Sequence, residues 1–148
     1  MAEPEENAHL LDTSAVGTLA TLDADGSPYA VPVHFAALDG KVYIHGGAHG
    51  RKYENLLRRN RVCFTAWDLR GYTRADNPEP CRTGTSYRSV VLNGTAALVE
   101  DAALKRRVLR ALAVKYSPEK DADNMPDAAV ARTCVVELHG ELTEKTRG

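Results

Sequence analysis

Two tight-turn signals near the N-terminus separate three β-rich segments. The first signal is Asp23-Ala24-Asp25-Gly26-Ser27, in which Gly26 can adopt a positive φ angle, and the second is Asp39-Gly40. The segments that they separate are 16–22, 28–36 and 41–45. Because short hairpin turns join antiparallel neighbours, the beginning of the chain predicts an antiparallel sheet.

The rest of the chain adds further β-rich segments and two helical patterns. The β-rich segments are 61–67, 85–99 and 132–143, and the helical patterns are 50–60 and 101–115. A polar stretch at 68–84 predicts a long loop. Gly94 predicts a bend or bulge, and Pro32 places its strand at a sheet edge or a bulge. We therefore expect five to seven antiparallel strands and two or three helices, with the sheet closed into a small barrel.

The composition favours a single globular domain. The chain has 148 residues, 43% of them hydrophobic, and a net charge of −1, which argues against bulk electrostatic attraction to nucleic acid or a membrane. No apolar run approaches the roughly 20 residues that span a bilayer. The acidic N-terminus has no signal-peptide pattern. We expect an N-terminal arm at 1–14 and one domain at 15–148.

The cysteines and histidines do not form a metal pattern. Cys63, Cys81 and Cys134 are odd in number, far apart and without CxxC spacing, so neither a disulfide framework nor a zinc site is expected. The histidines likewise lack a metal-ligand spacing with acidic residues or cysteines. The sequence therefore predicts no metal and a reducing, cytoplasmic location.

The segment His45-Gly46-Gly47-Ala48-His49-Gly50-Arg51-Lys52 joins a predicted strand to a predicted helix. Glycine lets the backbone approach a ligand closely, and the positive end of a helix favours an anion. Basic residues at a helix start are slightly unfavourable unless an anion binds there. The alternative is that Arg51 and Lys52 form a solvated basic face. We favour a phosphate site, and so a phosphorylated cofactor.

Other side chains are weaker candidates for chemistry. His45 ends a strand beside the glycines, and its near-neutral pKa makes it the best general-acid candidate, although a packed structural role is the commoner one. Tyr87, Arg88 and Ser89 open a strand and are either surface β-structure or donors that reach a ligand across an interface. Trp67 is expected in core or interface packing.

The order of these motifs resembles the FMN-binding split-barrel superfamily, which includes pyridoxamine 5′-phosphate oxidase. The resemblance covers about residues 15–143 and is nearest the nitroimidazole-resistance (Nim-type) branch. The residues that carry it are Gly17–Thr21, Gly26–Val33, Tyr43–His45, Gly50–Lys52, Val62–Phe64 and Tyr87–Val90. It implies a mainly β protein, a six-stranded antiparallel split β-barrel with flanking helices, which dimerises with two FMN molecules at the subunit interface.

The resemblance also implies roles for particular residues. Arg51 and Lys52, after Gly50, match the pair that holds the FMN phosphate, and Ser89 matches a polar side chain from the partner subunit. Ile44 and His45 match a strand beside the flavin, and His45 matches a histidine next to the ring in the Nim-type branch. The strand expected along the flavin ring comprises Tyr29, Ala30, Val31, Pro32, Val33 and His34, and the partner's strand would bring Tyr87, Arg88 and Ser89.

Two departures from the oxidases point away from pyridoxamine-phosphate oxidation. Tyr29 and His34 stand where the oxidases have a phosphate-binding Arg and Lys, and their C-terminal substrate-binding segment has no counterpart here. We therefore predict a homodimeric FMN-binding oxidoreductase. It would pass electrons from a reduced nicotinamide or another donor to a small aromatic, including nitroaromatic, acceptor, and loop 68–84 would shape the acceptor pocket. The alternatives are a non-enzymatic flavin or electron-transfer protein and a haem-binding split barrel.

Overall fold

The structure, a computed structural model, describes residues 10–74 and 78–147. A short helical stretch at residues 10–13 precedes the sheet. The strands are β1 (Gly17–Leu22), β2 (Pro28–Val33), β3 (Ala36–Leu38), β4 (Lys41–Gly46), β5 (Arg61–Arg74), β6 (Thr83–Leu98) and β7 (Cys134–Arg147). The helices that follow are α1 (Arg51–Arg58), α2 (Ala102–Tyr116) and α3 (Asp127–Arg132), with one 3₁₀ turn at Pro80–Arg82. No helix in the described part of the chain is long and apolar enough to cross a membrane.

All the strand pairs are antiparallel, in the order β2-β1-β5-β6-β7-β4-β3. The two edge strands, β2 and β3, are consecutive in the chain, so only about 11 Å can separate Val33 from Ala36. A flat sheet of seven strands would hold its edges roughly 29 Å apart. The sheet must therefore curl until its edges meet, which confirms the barrel. β2 lies at an edge, as Pro32 predicted.

The strand count is seven rather than six because the segment 28–36 divides in two. After Val33 the chain leaves one edge of the sheet, passes through His34 and Phe35, and joins the other edge as β3. A continuous β-rich sequence does not reveal such a crossing, because both halves are extended and partly apolar. The mainly β, antiparallel fold class itself is confirmed.

The last turn of α2 holds the link between the two sheet edges. The Phe35 N–H donates to the Tyr116 hydroxyl over 3.1 Å, and that hydroxyl lies 2.9 Å from the Ala15 carbonyl oxygen. Lys115 Nζ donates to the carbonyl oxygens of Phe35, at 3.0 Å, and Leu11, at 3.1 Å. Side chains thus satisfy backbone groups that no strand partner reaches.

The core has two parts, one inside the barrel and one between the sheet and α2. Phe35 and Phe64 meet edge-on inside the barrel with ring centroids 5.0 Å apart. Val108 and Leu112 of α2 are buried on the outer part. Residues 1–9 of the predicted N-terminal arm, 1–14, lie outside the described residues. In the remainder of that arm, Leu10 and Leu11 are buried in the barrel core.

The prediction of a long loop at 68–84 is wrong over most of its length. β5 continues to Arg74 and β6 begins at Thr83, so the two strands form a long ribbon with a register shift between Leu69 and Gly71. Two paired strands satisfy each other's backbone groups even where their side chains are polar, so polarity alone did not distinguish this ribbon from a loop. Residues 75–77, within the predicted loop, lie outside the described residues.

Gly94 is a point of close strand contact rather than a bulge. The register of β6 is continuous there, with Gly94 opposite both Val62 and Gly140. A Cβ atom on Gly94 would lie 1.9 Å from the carbonyl oxygen of His139. Glycine is required because the backbones of β6 and β7 occupy the space of a side chain.

We expect Gly94→Ala to lower the free energy of unfolding by about 2 kcal/mol or more, because the clash is with backbone that cannot rotate away. Gly84→Ala in the same strand is the matched control. Its Cβ would meet Thr73 Oγ1 at 2.4 Å, a side-chain atom that can change rotamer, so the cost should stay below about 1 kcal/mol. Urea unfolding midpoints measure the loss of stability in each variant. Equal midpoints for the two variants would contradict the explanation that Gly94 is required by a clash with backbone.

Candidate functional site

A glycine-rich connection leads from the end of β4 into α1. Gly50, the residue before the helix, has a φ of +97°, which favours glycine, and it carries no side chain that could cap the helix. The first helical hydrogen bond is donated by Glu54 N to the Gly50 carbonyl over 2.9 Å. The N–H groups of Arg51, Lys52 and Tyr53 come before it and point beyond the helix end. This end is open to an anion.

Arg51 is held on one side of this helix end by the β1–β2 turn. Its Nε donates to Asp23 Oδ1 over 2.9 Å, and its Nη2 donates to Asp23 Oδ2. The guanidinium carbon lies 4.0 Å from the centre of the Tyr29 ring. Hydrogen bonds from Arg51, and then from Asn55, lower the pKa of Asp23 to about 2. Asp23 is therefore a carboxylate at any pH near neutrality.

Asn55 lies behind this ion pair. It is one helical turn after Arg51 and only 2% exposed. Its Nδ2 donates to Asp23 Oδ1 over 2.9 Å and to Thr21 Oγ1 over 3.1 Å. Its Oδ1 accepts from Arg58 Nη1 over 3.2 Å. A buried, fully engaged amide thus holds the carboxylate that holds Arg51.

Lys52 faces the opposite side of the helix end. Its Nζ would lie 3.8 Å from a Cβ atom on Gly46, at the end of β4, and its charge is one cause that lowers the pKa of His45. Arg51 therefore lies towards the β1–β2 turn, and Lys52 lies towards His45. The two basic side chains flank the helix end instead of meeting at one point.

A cavity of about 400 Å³ lies beside Lys52, between the sheet and the two C-terminal helices. His34 and His45 line it from the sheet, and Leu112, Tyr116 and Val130 line it from α2 and α3. The His34 ring stacks on Tyr116, with centroids 4.0 Å apart and planes 10° from parallel. The remaining lining residues are Leu109, Ala113, Ser117, Met125, Ala129 and Thr133. The walls are mainly apolar, with two imidazoles on one side.

His45 projects from the outer face of β4 into this cavity. Partial desolvation is the main cause that lowers its pKa below the usual value, and electrostatic repulsion from His34 and Lys52 adds to it, while the residue as a whole stays exposed. At neutral pH the imidazole is therefore mostly uncharged, and it gains a proton only in acid. It can accept or donate one hydrogen bond at each nitrogen, depending on its tautomer.

The other candidates on β2 and β4 offer backbone more than side chains. Ala30 and Pro32 are on the exposed face of β2, Tyr29 and Val31 are half-buried, and Val33 is buried. Since β2 is an edge strand, its outer backbone groups have no strand partner in the described chain. The Ile44 side chain is 1% exposed and belongs to the barrel core, so only its backbone can face a ligand.

A single chain keeps Tyr87, Arg88 and Ser89 away from His45. His45 pairs with Val135, and the next residue, Val136, pairs with Leu98 at the far end of β6. Ser89 lies nine residues before Leu98, which is about 30 Å along an extended strand. Tyr87 and Ser89 can therefore reach the His45 region only from a second copy of the chain, whereas Arg88 is 7% exposed and is buried within its own chain.

Sequence reasoning missed Asp23, Asn55 and Tyr116. The sequence around Asp23 indicates only a turn, although a turn carboxylate can also accept a hydrogen bond from a nearby arginine. Asn55 stands four residues after Arg51, the spacing that places two residues on one helix face, and this signal was available. Tyr116 lies 82 residues after His34 in the chain, and no local pattern links the two.

The sequence of this chain is similar to one protein family and to a reductase. Residues 3–144 match the family model described as Pyridoxamine 5′-phosphate oxidase. A 5a,11a-dehydrotetracycline/5a,11a-dehydrooxytetracycline reductase from Streptomyces rimosus is 34% identical over 101 residues. That alignment covers 66% of this chain and 64% of the reductase, so the chain matches slightly less than two thirds of that relative's length.

Two solved structures share the fold. The flavocytochrome Anf3 from Azotobacter vinelandii superposes with a TM-score of 0.83 and 26% identity, over 100% of this chain and 69% of that one. A protein named for resistance to 5-nitroimidazole antibiotics, from Bacteroides thetaiotaomicron, has a TM-score of 0.79 and 23% identity, over 97% of this chain and 84% of that one. At the latter identity the likeness concerns the fold alone.

Proposed function

Because the chain belongs to the pyridoxamine 5′-phosphate oxidase family, we propose that it is a flavin-binding oxidoreductase that uses FMN. The observation that carries the proposal is the open start of α1, with Arg51 and Lys52 on its two sides, directly beside a cavity that contains His45. A phosphate at the helix end would leave the rest of the cofactor within reach of β2, β4 and the cavity.

The residues at the helix end fit a phosphate group. Gly50 leaves open space where a Cβ atom would stand, and the first-turn N–H groups need an acceptor. Arg51 and Lys52 would add charge-assisted hydrogen bonds. The exposed edge of β2, from Tyr29 to Val33, and His34 directly after it would run along the ring with backbone donors and acceptors. When bound, the flavin supplies the electron transfer itself, while the protein binds and orients the reactants.

The cavity beside Lys52 is our proposed acceptor site. Its volume lies within the range of small-molecule pockets, and its walls suit a flat apolar ring. The imidazoles of His34 and His45 would bind an oxygen substituent at one edge of that ring, and His45 would supply a proton. A small aromatic acceptor, including a nitroaromatic, has this chemistry. The relative named as a 5a,11a-dehydrotetracycline/5a,11a-dehydrooxytetracycline reductase supports the reduction of an organic acceptor. Reduced nicotinamide is the proposed electron donor.

We propose a homodimer as the working form. Trp67 and Leu69 lie on one face of β5 and are 57% and 43% exposed, and Ser89 and Tyr87 stand directly opposite them on β6. Paired residues of an antiparallel sheet point to the same side, so an exposed apolar patch coincides with residues expected to serve the partner's site. A second copy covering this patch would account for both observations.

The experiment is to characterise the protein as purified. We expect a flavin absorption spectrum, twice the 16.1 kDa mass of one chain by sedimentation, and steady oxidation of reduced nicotinamide with a nitroaromatic acceptor. Bound flavin without turnover would favour the non-enzymatic alternative. A Soret band would favour the haem-binding one. Protein that neither retains nor rebinds FMN would overturn the proposal.

A further inference from the structure

Asp23 contacts Arg51 through two hydrogen bonds on one side of the guanidinium and leaves its other end unused by this pair. A guanidinium can meet an oxyanion through its Nε–Nη side or through the end formed by its two Nη atoms. Asp23 occupies the Nε–Nη2 side, with Nε donating over 2.9 Å. The Nη1–Nη2 end is not used by this pair, so it can still form two hydrogen bonds to a second anion.

We propose that Asp23 is a positioning residue that fixes the Arg51 guanidinium so that its Nη1–Nη2 end is presented to the cofactor phosphate at the start of α1. This inference rests on the proposed function, because the second anion is the phosphate of that cofactor. In this arrangement one arginine bridges two oxyanions. Asp23 itself does not touch the ligand.

Two contacts hold the guanidinium directly, and a third holds Asp23 in place. Asp23 holds its side, the Tyr29 ring lies 4.0 Å from its central carbon, and Asn55 holds Asp23 from behind over 2.9 Å. Asn55 is buried and belongs to α1, the helix that also carries Arg51. Its hydrogen bond to Asp23 therefore moves together with that helix. The position of Asp23 is thereby tied to the helix end and not only to its own turn.

Two opposing effects follow from removing the Asp23 charge. A negative charge near the site repels a phosphate, so its loss should strengthen binding. The Arg51 side chain is 58% exposed, however, and without Asp23 it would sample many rotamers that binding must then freeze. Charge repulsion at an exposed site is screened by water and salt. The loss of the fixed Arg51 orientation should therefore change phosphate binding more than the loss of charge repulsion does.

Asp23→Asn keeps the shape of the side chain and removes its charge. We expect FMN to bind 5- to 20-fold more weakly to this variant, while riboflavin, which lacks the phosphate, binds as before. Asp25→Asn is the matched control. Asp25 lies in the same turn and accepts from Ser27 N over 2.9 Å, so the substitution removes one negative charge without touching the Arg51 pair. It should leave FMN binding within twofold or tighten it.

The decisive measurement repeats Asp23→Asn in an Arg51→Ala background. If Asp23 acts through Arg51, the substitution should no longer weaken FMN binding there, and it should tighten it slightly by removing a negative charge. Tighter binding of FMN in both backgrounds would overturn the inference, and so would equal weakening in both. A failure of the proposed function has a different signature, because FMN would then have no advantage over riboflavin even with Asp23 and Arg51 intact. Thermal unfolding of each variant checks that the turn remains folded.

Discussion

Replacing Arg51 and Lys52 together by alanine is expected to weaken FMN binding by about 100-fold or more and to leave riboflavin binding unchanged. A hydrogen bond to a charged group contributes about 1.5–3 kcal/mol, and a factor of 100 corresponds to about 2.7 kcal/mol. Two such groups at an exposed helix end can supply this even after solvent screening. Titration of the apoprotein with each ligand, followed by flavin fluorescence, gives the two affinities.

Arg59→Ala together with Arg61→Ala is the matched control for this double variant. Both arginines are exposed, belong to the same basic stretch and lie beyond the end of α1, so their removal costs the same two positive charges away from the helix start. We expect less than a fivefold change in FMN affinity. Equal losses for the two double variants would mean that only the general positive charge of this stretch matters, and the phosphate site would then be refuted.

The hairpin chemistry of the N-terminal half was predictable because it depends on neighbouring residues. Gly26 adopts a φ of +87° and Gly40 one of +77°, as their turns require, and β1 pairs with β2 in the register that the first turn sets. The edge position of β2 followed from Pro32, which lacks the N–H that an inner strand needs. Each of these inferences used a local property of the backbone.

The features that the sequence did not reveal depend on residues far apart in the chain. Nothing near Phe35 indicates that its backbone groups will be satisfied by Lys115 and Tyr116, and this distant contact is what permits the strand break between β2 and β3. The need for glycine at Gly94 likewise arises from Gly140 and its neighbour on another strand. The local pattern there fits a bulge as well as a close contact.

The candidate site also has features that are local in the sequence and features that depend on distant residues. The glycines and the basic pair stand together in eight residues, so their shared position at a helix start could be predicted. The pairing of Arg51 with Asp23 joins elements 28 residues apart, and the cavity around His45 is completed by α2 and α3. The prediction that a loop at 68–84 would shape the acceptor pocket gave no role to these helices, although they form the apolar walls of the cavity.

His45→Gln is expected to lower turnover with a nitroaromatic acceptor by about 100-fold, with FMN content and the dimer unchanged, because a general acid commonly contributes a factor of 10²–10⁴. Partial desolvation, with electrostatic repulsion from His34 and Lys52, holds the pKa of His45 below its usual value of 6.5. The protonated fraction, and with it the turnover number of the natural chain, should therefore rise as the pH falls from 7.5 towards 5.5. The glutamine variant cannot donate a proton in this way, so its turnover should lose that slope.

His49→Gln is the control for this prediction. His49 lies in the same glycine-rich connection but, unlike His45, does not line the cavity, so the substitution should leave both the turnover number and its pH dependence intact. If the His45 variant kept the acid slope while losing rate, the titrating group would be another residue and His45 would only orient the acceptor. If it kept both, the cavity would not be the place where the acceptor receives its proton.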